Sequence, residues 1–478
     1  MIAEHAICPD IYHPAVARDG LLTRLRIPGG VLHVSQCAAI EQLLTTTGLD
    51  YIQVTNRANL QLRALGKDFD QELLTQLAED GLSTGNRLIE GIRNIMQSPT
   101  AGIDKQELID VYPVAEAWDD YLDAHPELGI LSTKFSVGFD GGGSVGIVDR
   151  PNDITLLAIS DREFELFLGI GDPGSAPMPV GVRLGASECL SMLAAIAQTY
   201  RQGIELFGGN APRKLRLRDV VSHWGLTGFS EIVQREFKGS RRFIFKNLDR
   251  ASDLVRADGN YHLGTHQQRQ PDRYYLGMVL PLGRWNRSQV RGLGEIVDRY
   301  GSGMIRLTPW QNIILPDIPE DDVAQVQGLI TDLGLIHTAN HPTSLLRACA
   351  GSTGCQFGAT DTQRDAIDLS NYLAANSTLD RPVSIHFSGC EKSCAQHEQA
   401  DITLWGVADT NSYRLEIAGA ETEVGAGLSD LYTPAQVPIV IGRLIDAYHY
   451  QRLNPQESVQ AFITRQSRIQ LHQIFNVV

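Results

Sequence analysis

Four cysteines in the last third of the chain, Cys349, Cys355, Cys390 and Cys394, are the residues whose type and spacing point most directly to chemistry. They form Cys349-x5-Cys355, an interval of 34 residues, and then Cys390-x3-Cys394. Thiolates are soft ligands that suit iron, and a cubane 4Fe–4S cluster takes four of them. Both pairs lie among small residues: Ala350-Gly351-Ser352-Thr353-Gly354 in the first loop, and Ser388-Gly389 ahead of Cys390. Small residues let the backbone wrap closely and aim N–H groups at sulfur. A structural zinc site ordinarily uses shorter Cys-x2–4-Cys knuckles, so the first spacing fits it poorly. Disulfides are disfavoured wherever thiols stay reduced. The remaining cysteines, Cys8, Cys37 and Cys189, are scattered and read as small buried apolar residues.

The elements that must position these thiols are written twice in the chain. At an offset of 253, Ile27-Pro28-Gly29-Gly30 matches Leu280-Pro281-Leu282-Gly283, and the segment Thr55–Leu62 matches Thr308–Leu315. Further on the offset drifts to 248, where Asp153-Ile154-Thr155-Leu156 faces Asp401-Ile402-Thr403-Leu404. Ordered matches of this kind imply an internal duplication. Its period is too long for a solenoid, so two halves related by a pseudo-twofold axis are expected. Alternation of Leu21, Thr23, Leu25 and Ile27 predicts a strand, residues 34–47 a helix, and Tyr51–Leu62 another strand. That order is the ferredoxin-like style of α+β module. Each half continues to strands near 132–139 or 383–387 and 153–159 or 401–407, then a long closing helix. Ser187 is the expected N-cap of the first closing helix, and Thr433 with Pro434 opens the second. The duplication also aligns Arg93-Asn94-Ile95 with Arg347-Ala348-Cys349, so only the second half would carry a cluster.

Composition bounds the rest. The 478 residues are 43% apolar and 20% charged, with a net charge of −15 that argues against nucleic acid as a partner. No apolar run approaches the ~20 residues of a membrane span. The first residues show neither a basic nor an apolar signal region, so a cytoplasmic protein is expected.

On these motifs the chain resembles the sulfite/nitrite reductase superfamily, in which Cys-x5-Cys and Cys-x3-Cys hold the cluster in the second copy. Three segments of half one carry further likeness: Asn56–Arg63, Gly91-Ile92-Arg93-Asn94 and Leu131-Ser132-Thr133-Lys134-Phe135. The resemblance implies an α+β fold with two ferredoxin-like half-domains (10–80 and 271–330). Each is followed by a reductase-type α+β domain (85–210 without a cluster, 340–470 with it), and a basic connector spans 211–270. It implies that Arg57, Asn59, Arg63, Arg93 and Lys134 hold carboxylates, with Arg57, Arg93 and Lys134 at the reacting centre. Guanidinium forks suit carboxylates bidentately.

Departures from the pattern shape the expected activity. Glu391-Lys392 replaces the reductases' Pro-Asn, Thr133 replaces an arginine, and Ser136 stands where sulfite reductases have a second lysine. The Gly-Cys-x-Lys-x-Cys-Ala form is similar to the precorrin-3B synthase family. That resemblance implies O2-dependent hydroxylation and lactone formation on precorrin-3A in cobalamin biosynthesis. It brings a polycarboxylate tetrapyrrole substrate, a ferredoxin or NADH-linked electron donor, and a mononuclear non-haem iron for which His386 and His397 are candidate ligands. Lys392 is a further candidate contact to a carboxylate or the cluster. Two other readings stay open: a sirohaem-dependent nitrite or sulfite reductase, and a non-catalytic tetrapyrrole-binding electron carrier.

Cys390→Ser should remove both the iron and the broad blue absorbance of the purified protein, whereas Cys37→Ser should change little beyond packing. Retention of the full iron content in the first variant overturns the ligand assignment.

Overall fold

The computed structural model describes residues 8–211, 213–249, 260–341, 344–376, 381, 383–396, 399–417 and 431–475. The chain divides into two compact units: Met1–Ala15, Leu21–Met278 and Trp285–His337 in one, and Val16–Gly20, Val279–Arg284 and Thr338–Val478 in the other.

Two five-stranded sheets repeat one plan. The first runs β1 (Ala15–Ala17), β2 (Gly20–Leu25), β5 (Leu60–Leu65), β4 (Tyr51–Val54), β13 (Arg284–Asn286). The second runs β11 (Gly264–Gln267), β12 (Arg273–Met278), β15 (Ile313–Pro319), β14 (Met304–Leu307), β3 (Val31–His33). Each half therefore lends its short third strand to the other's sheet: β3 pairs antiparallel with β14, His33 opposite Met304 and Val31 opposite Arg306. The helices Val34–Thr47 and Arg287–Tyr300 follow these strands and pack together. Each opens on the same device: His33 N donates to Gln36 Oε1 at 2.8 Å, and Asn286 N to Gln289 Oε1 at 3.1 Å.

The duplication reaches into backbone conformation. Left-handed residues recur 253 positions apart: Ala58 (φ 54°) and Gln311 (61°), Ala64 (59°) and Asp317 (65°), Gly30 (71°) and Gly283 (72°). Side chains beyond glycine rarely sit there, so shared positions mark shared turns. The register break between Leu21 and Thr23 recurs between Tyr274 and Leu276. The single strand expected over Tyr51–Leu62 is instead the hairpin β4–β5. Its turn is closed by Ala58 N to Thr55 O at 3.0 Å and Thr55 N to Asn59 O at 2.9 Å.

The other two sheets also share one order. The first is β6 (Asn94–Gln97), β7 (Ser136–Asp140), β8 (Ile154–Ala158), β9 (Glu163–Leu168), β10 (Met178–Gly185). The second is β16 (Leu346–Ala348), β17 (Ile385–Ser388), β18 (Ile402–Val407), β19 (Ser412–Ile417), β20 (Leu431–Tyr432). In both, the first three strands are parallel and the last two antiparallel to their neighbours. The fold is thus the internally duplicated α+β arrangement expected.

Three local expectations change. The closing helices are Ala186–Phe207 and Val437–Gln451, capped by Gly185 and Gln436 rather than by Ser187 and Thr433. Glu188 Oε2 accepts the Gly185 N–H at 3.0 Å, and Thr433 sits in a turn whose carbonyl takes the Gln436 and Val437 amides. The basic stretch after 211 carries the helix Leu217–Glu236, whose Leu217, Val220, Phe229 and Val233 join one core with Trp118, Phe135 and Tyr200. Among the described residues no helix is long and apolar enough to cross a membrane.

Phe229→Ala should lower the unfolding free energy by about 3–5 kcal/mol, the usual cost of emptying a buried aromatic site. Arg242→Ala, exposed in the same stretch, should stay within about 0.5 kcal/mol. Urea denaturation of both variants checks the contrast.

Candidate functional site

The cysteine loops leave the C-terminal ends of adjacent parallel strands, where open α/β sheets commonly bind ligands. Cys349 follows β16 and its N–H donates to Phe387 O on β17 at 3.1 Å. Its sulfur accepts the Gly389 N–H at 3.2 Å and the Gly351 N–H at 3.4 Å. Glycines make the crossing possible: a Cβ on Gly358 would overlap the Gly351 carbonyl, and one on Gly389 would come within 3.1 Å of Gly358 Cα. Cys355 is fixed by its N–H to Gly351 O at 2.9 Å, at the end of the short turn Gly351–Gly354.

All four cysteines are free thiols. Partial burial pushes the Cys394 thiol up, and Cys390, Cys349 and Cys355 push it further, with Lys392 opposing. The Cys394 thiol therefore feels the other three sulfurs. Four thiols, crossed glycine loops and amides aimed at sulfur fit a four-thiolate cubane. Among the described residues no three His, Cys, Asp or Glu side chains surround a single-ion position, and cubane ligands would stand wider apart than that. Lys392 Nζ sits 3.1 Å from the centroid of the Phe357 ring. His386 is buried on β17, edge-on to Trp405 at 6.4 Å, and His397 lies outside the described residues. Arg347 donates to the Leu346 and Ser344 carbonyls at 2.9 and 3.3 Å.

Register corrects the alignment of the two copies. Ile95 pairs with Val137, and Leu346 with Ile385 at the equivalent place, so Cys349 corresponds to Ser98 and not to Ile95. The hydrogen bonds agree: Gly141 N donates to Ser98 Oγ at 3.2 Å, as Gly389 N does to Cys349 Sγ. Ser136 likewise mirrors Ser384; each takes part in a serine–aspartate pair, with Asp153 and Asp401 respectively.

The cations gather in the larger unit. Arg57 donates to Asn152 Oδ1 at 3.1 Å and to Pro151 O at 2.8 Å, which holds it beside Asp153. Asp153 is pushed up by burial, against which Arg216, at 3.0 Å, and Arg57 pull it down. Lys134 is exposed and its ammonium makes no hydrogen bond or ion pair among the described residues. Arg63 lies on β5, close enough to depress the basicity of Arg24. Arg93 is committed elsewhere: it clamps Asp119 at 2.8 and 2.6 Å and reaches Glu90 at 3.4 Å. Asn59 is buried and its Oδ1 accepts the Ile27 N–H at 2.8 Å, a backbone role.

Sequence reasoning missed three members of this cluster. Arg24 Nη1 donates to Cys8 Sγ at 3.5 Å. Burial alone would raise the Cys8 thiol, but Arg24, then Arg26, Arg57 and Lys134, outweigh it and bring the thiol below its ordinary range. Arg26 is buried, donates to Pro9 O at 3.4 Å, and its Nε has no hydrogen-bond partner among the described residues. The signal was present in and just after β2, where Arg24 and Arg26 alternate with the residues Thr23, Leu25 and Ile27 that predicted the strand. A concentrated set of guanidinium groups with an orphaned donor fits a polycarboxylate such as sirohaem.

Comparison with known proteins bears on this pair of sites. Residues 89–240 match the family described as nitrite and sulphite reductase 4Fe-4S domain, and 266–333 the nitrite/sulfite reductase ferredoxin-like half domain. The first match falls on the copy without a cysteine pair. The chain is 31% identical over 409 residues to a protein of Synechococcus elongatus named ferredoxin–nitrite reductase, covering 83% of this chain and 78% of that one. The chain belongs to the nitrite and sulfite reductase family. A Zea mays chloroplast protein and a Haloferax mediterranei protein of this family, both named as ferredoxin-dependent nitrite reductases, are 27% and 26% identical over 459 and 447 residues. They cover 89% and 85% of this chain, which spans 78% and 73% of theirs. The structure of Mycobacterium tuberculosis NirA shares the fold, with a TM-score of 0.75 and 21% identity over 94% of this chain and 84% of that one.

These relatives overturn the expected oxygenase. They are named as nitrite reductases and not as precorrin-3B synthases, so the Glu391-Lys392 departure does not move the chain out of the reductase group. O2 and a corrin precursor as substrate lose their support with it.

The cations beside Cys8 set a pH test. A neighbouring positive charge favours the thiolate, so Cys8 should react with iodoacetamide at lower pH than an ordinary thiol of pKa about 8.5. Arg24→Gln should move that profile to higher pH, while Cys37 and Cys189, pushed up to about 12 by burial, stay unreactive. Mass spectrometry of the Cys8 peptide reads the rates, and an ordinary thiol profile for Cys8 contradicts the assignment.

Proposed function

We propose that this chain is an assimilatory nitrite reductase that takes electrons from reduced ferredoxin and converts nitrite to ammonia. The observation that carries this reading is the 31% identity, over 78% of its length, to a relative bearing the name ferredoxin–nitrite reductase. Cys349, Cys355, Cys390 and Cys394 are the ligands of the cluster in this reading, and Arg24, Arg26, Arg57, Arg63 and Lys134 hold sirohaem carboxylates and the substrate. Sirohaem supplies, when bound, an iron able to take nitrite, and the cubane supplies electrons to it singly. A cytoplasmic address accords with this, because cluster ligands need reduced thiols.

The protein's own residues have distinct tasks. Arg57 is pre-set by Asn152 and Pro151, so little side-chain freedom is lost when it meets an anion. Lys134 has its donors available, and an ammonium there can both attract nitrite and pass a proton to a developing oxygen anion. Arg93 acts one step removed, holding Asp119 and Glu90 at the start of β6. Ser136 argues for nitrite over sulfite. It is buried against Asp153 and supplies no second cation, and a singly charged anion needs fewer cations than a doubly charged one.

Purified holoprotein given reduced ferredoxin and nitrite should form ammonia. Lys134→Ala should lower kcat/KM by roughly 10- to 100-fold, about 1.4–2.7 kcal/mol of transition-state stabilisation, with partial recovery in Lys134→Arg. Protein loaded with iron and sirohaem that leaves nitrite untouched refutes the reading.

A further inference from the structure

The turn between Cys390 and Cys394 carries a lysine whose ammonium has a defined seat. Lys392 Nζ lies 3.1 Å from the centroid of Phe357, two residues beyond Cys355, so the contact joins the two cysteine loops. Phe357 is 53% exposed, and burial does not explain a large ring at that place. The neighbouring Ser393 is left-handed (φ 51°), and its hydroxyl donates to Gln396 O at 2.6 Å. That local turn fixes the direction in which Lys392 leaves the backbone.

We propose that Lys392, seated on Phe357, is a positioning residue that raises the reduction potential of the cluster by holding a fixed positive charge beside it. The inference rests on the reading of the four cysteines as cluster ligands. Reduction adds one electron, taken from a reduced donor, to a centre already surrounded by four thiolate charges. Its potential follows the net charge nearby, the hydrogen bonds to sulfur and exposure to solvent. A freely moving surface ammonium is averaged and screened by salt. An ammonium over the negative face of an aromatic ring keeps its place. The two ends of the site then differ: Cys349 is supported by backbone amides, and the Cys390–Cys394 end by a side-chain cation.

The test uses the full-length holoprotein and its Lys392→Gln, Lys392→Arg and Phe357→Leu variants. Iron and acid-labile sulfide are counted first, and the cluster is then titrated with dithionite while the paramagnetic signal of its reduced form is followed. Lys392→Gln should lower the ratio of reduced to oxidised cluster at a fixed potential by up to about tenfold, which for a one-electron couple is a shift of about 59 mV to more negative values. Phe357→Leu should shift the same way by less, Lys392→Arg should stay near the parent, and molar salt should shrink the differences. Equal potentials for parent and Lys392→Gln at full cluster content overturn the proposal, as do equal shifts for the Gln and Arg variants. A parent protein without iron and sulfide overturns the cluster assignment itself, and this inference with it.

Discussion

The larger unit depends on an exchange of two short strands. β3 leaves its own half to complete the edge of β14, and β13 does the same beside β4. An open strand edge is a row of unpaired backbone donors and acceptors, so neither half finishes its sheet alone. The exchange also delivers side chains. Arg306, opposite Val31 in the exchanged pair, is buried and donates to the Pro99 and Ala101 carbonyls at 3.1 and 2.6 Å. The loop after β6 is thus pinned by a residue of the second half. The β4–β5 hairpin that carries Arg57 and Arg63 is bordered by the second half's β13 in the same way.

Duplication on one plan allowed the copies to divide the chemistry. Positions 253 apart show the cations of half one replaced in half two: Arg24 by Gly277, Arg26 by Val279, Arg57 by Trp310, Arg63 by Pro316. Trp310 does something different with its place. It stacks on His262 at 4.4 Å and lies under the Arg150 guanidinium at 4.7 Å. In the other direction Ser98 holds the amide that Cys349 holds, without a sulfur to offer iron. The backbone devices are common to both copies, and the reactive side chains are not.

What could be read from the sequence follows from the range of the forces involved. The helix Val34–Thr47 was legible to the residue, and the Gln36 contact that opens it in the structure is local in sequence. The cysteine pairs stand out in the sequence because ligand type and spacing point to one chemistry. Arg93 was not legible as an ion-paired residue, since Asp119 meets it only after a helix has packed. The Ser98–Cys349 correspondence was hidden by the different lengths of the loops that follow, and only strand register restores it. The basic composition after residue 211 masked a core helix, because the apolar residues that bury it are spread thinly among arginines. Function was misjudged at Glu391-Lys392, where a two-residue departure within a loop was given more weight than the likeness of the whole chain.

The cation cluster is an unfavourable arrangement in isolation, and that property explains its surroundings. Arg24 and Arg57 are both pushed below their usual basicity, first by burial and in part by one another's neighbours. Concentrating charge of one sign in a partly desolvated place costs free energy unless something opposes it. The protein offers Asp153, bound by Arg216 and Ser136, and the thiol of Cys8. Neither neutralises the whole set, and Arg26 Nε has no hydrogen-bond partner among the described residues. In the reading proposed above, a chain of net charge −15 that gathers guanidinium groups at one place holds them for anionic groups from outside. On that reading, preorganisation of this kind puts the cost into folding, so that less would be lost on binding an anion.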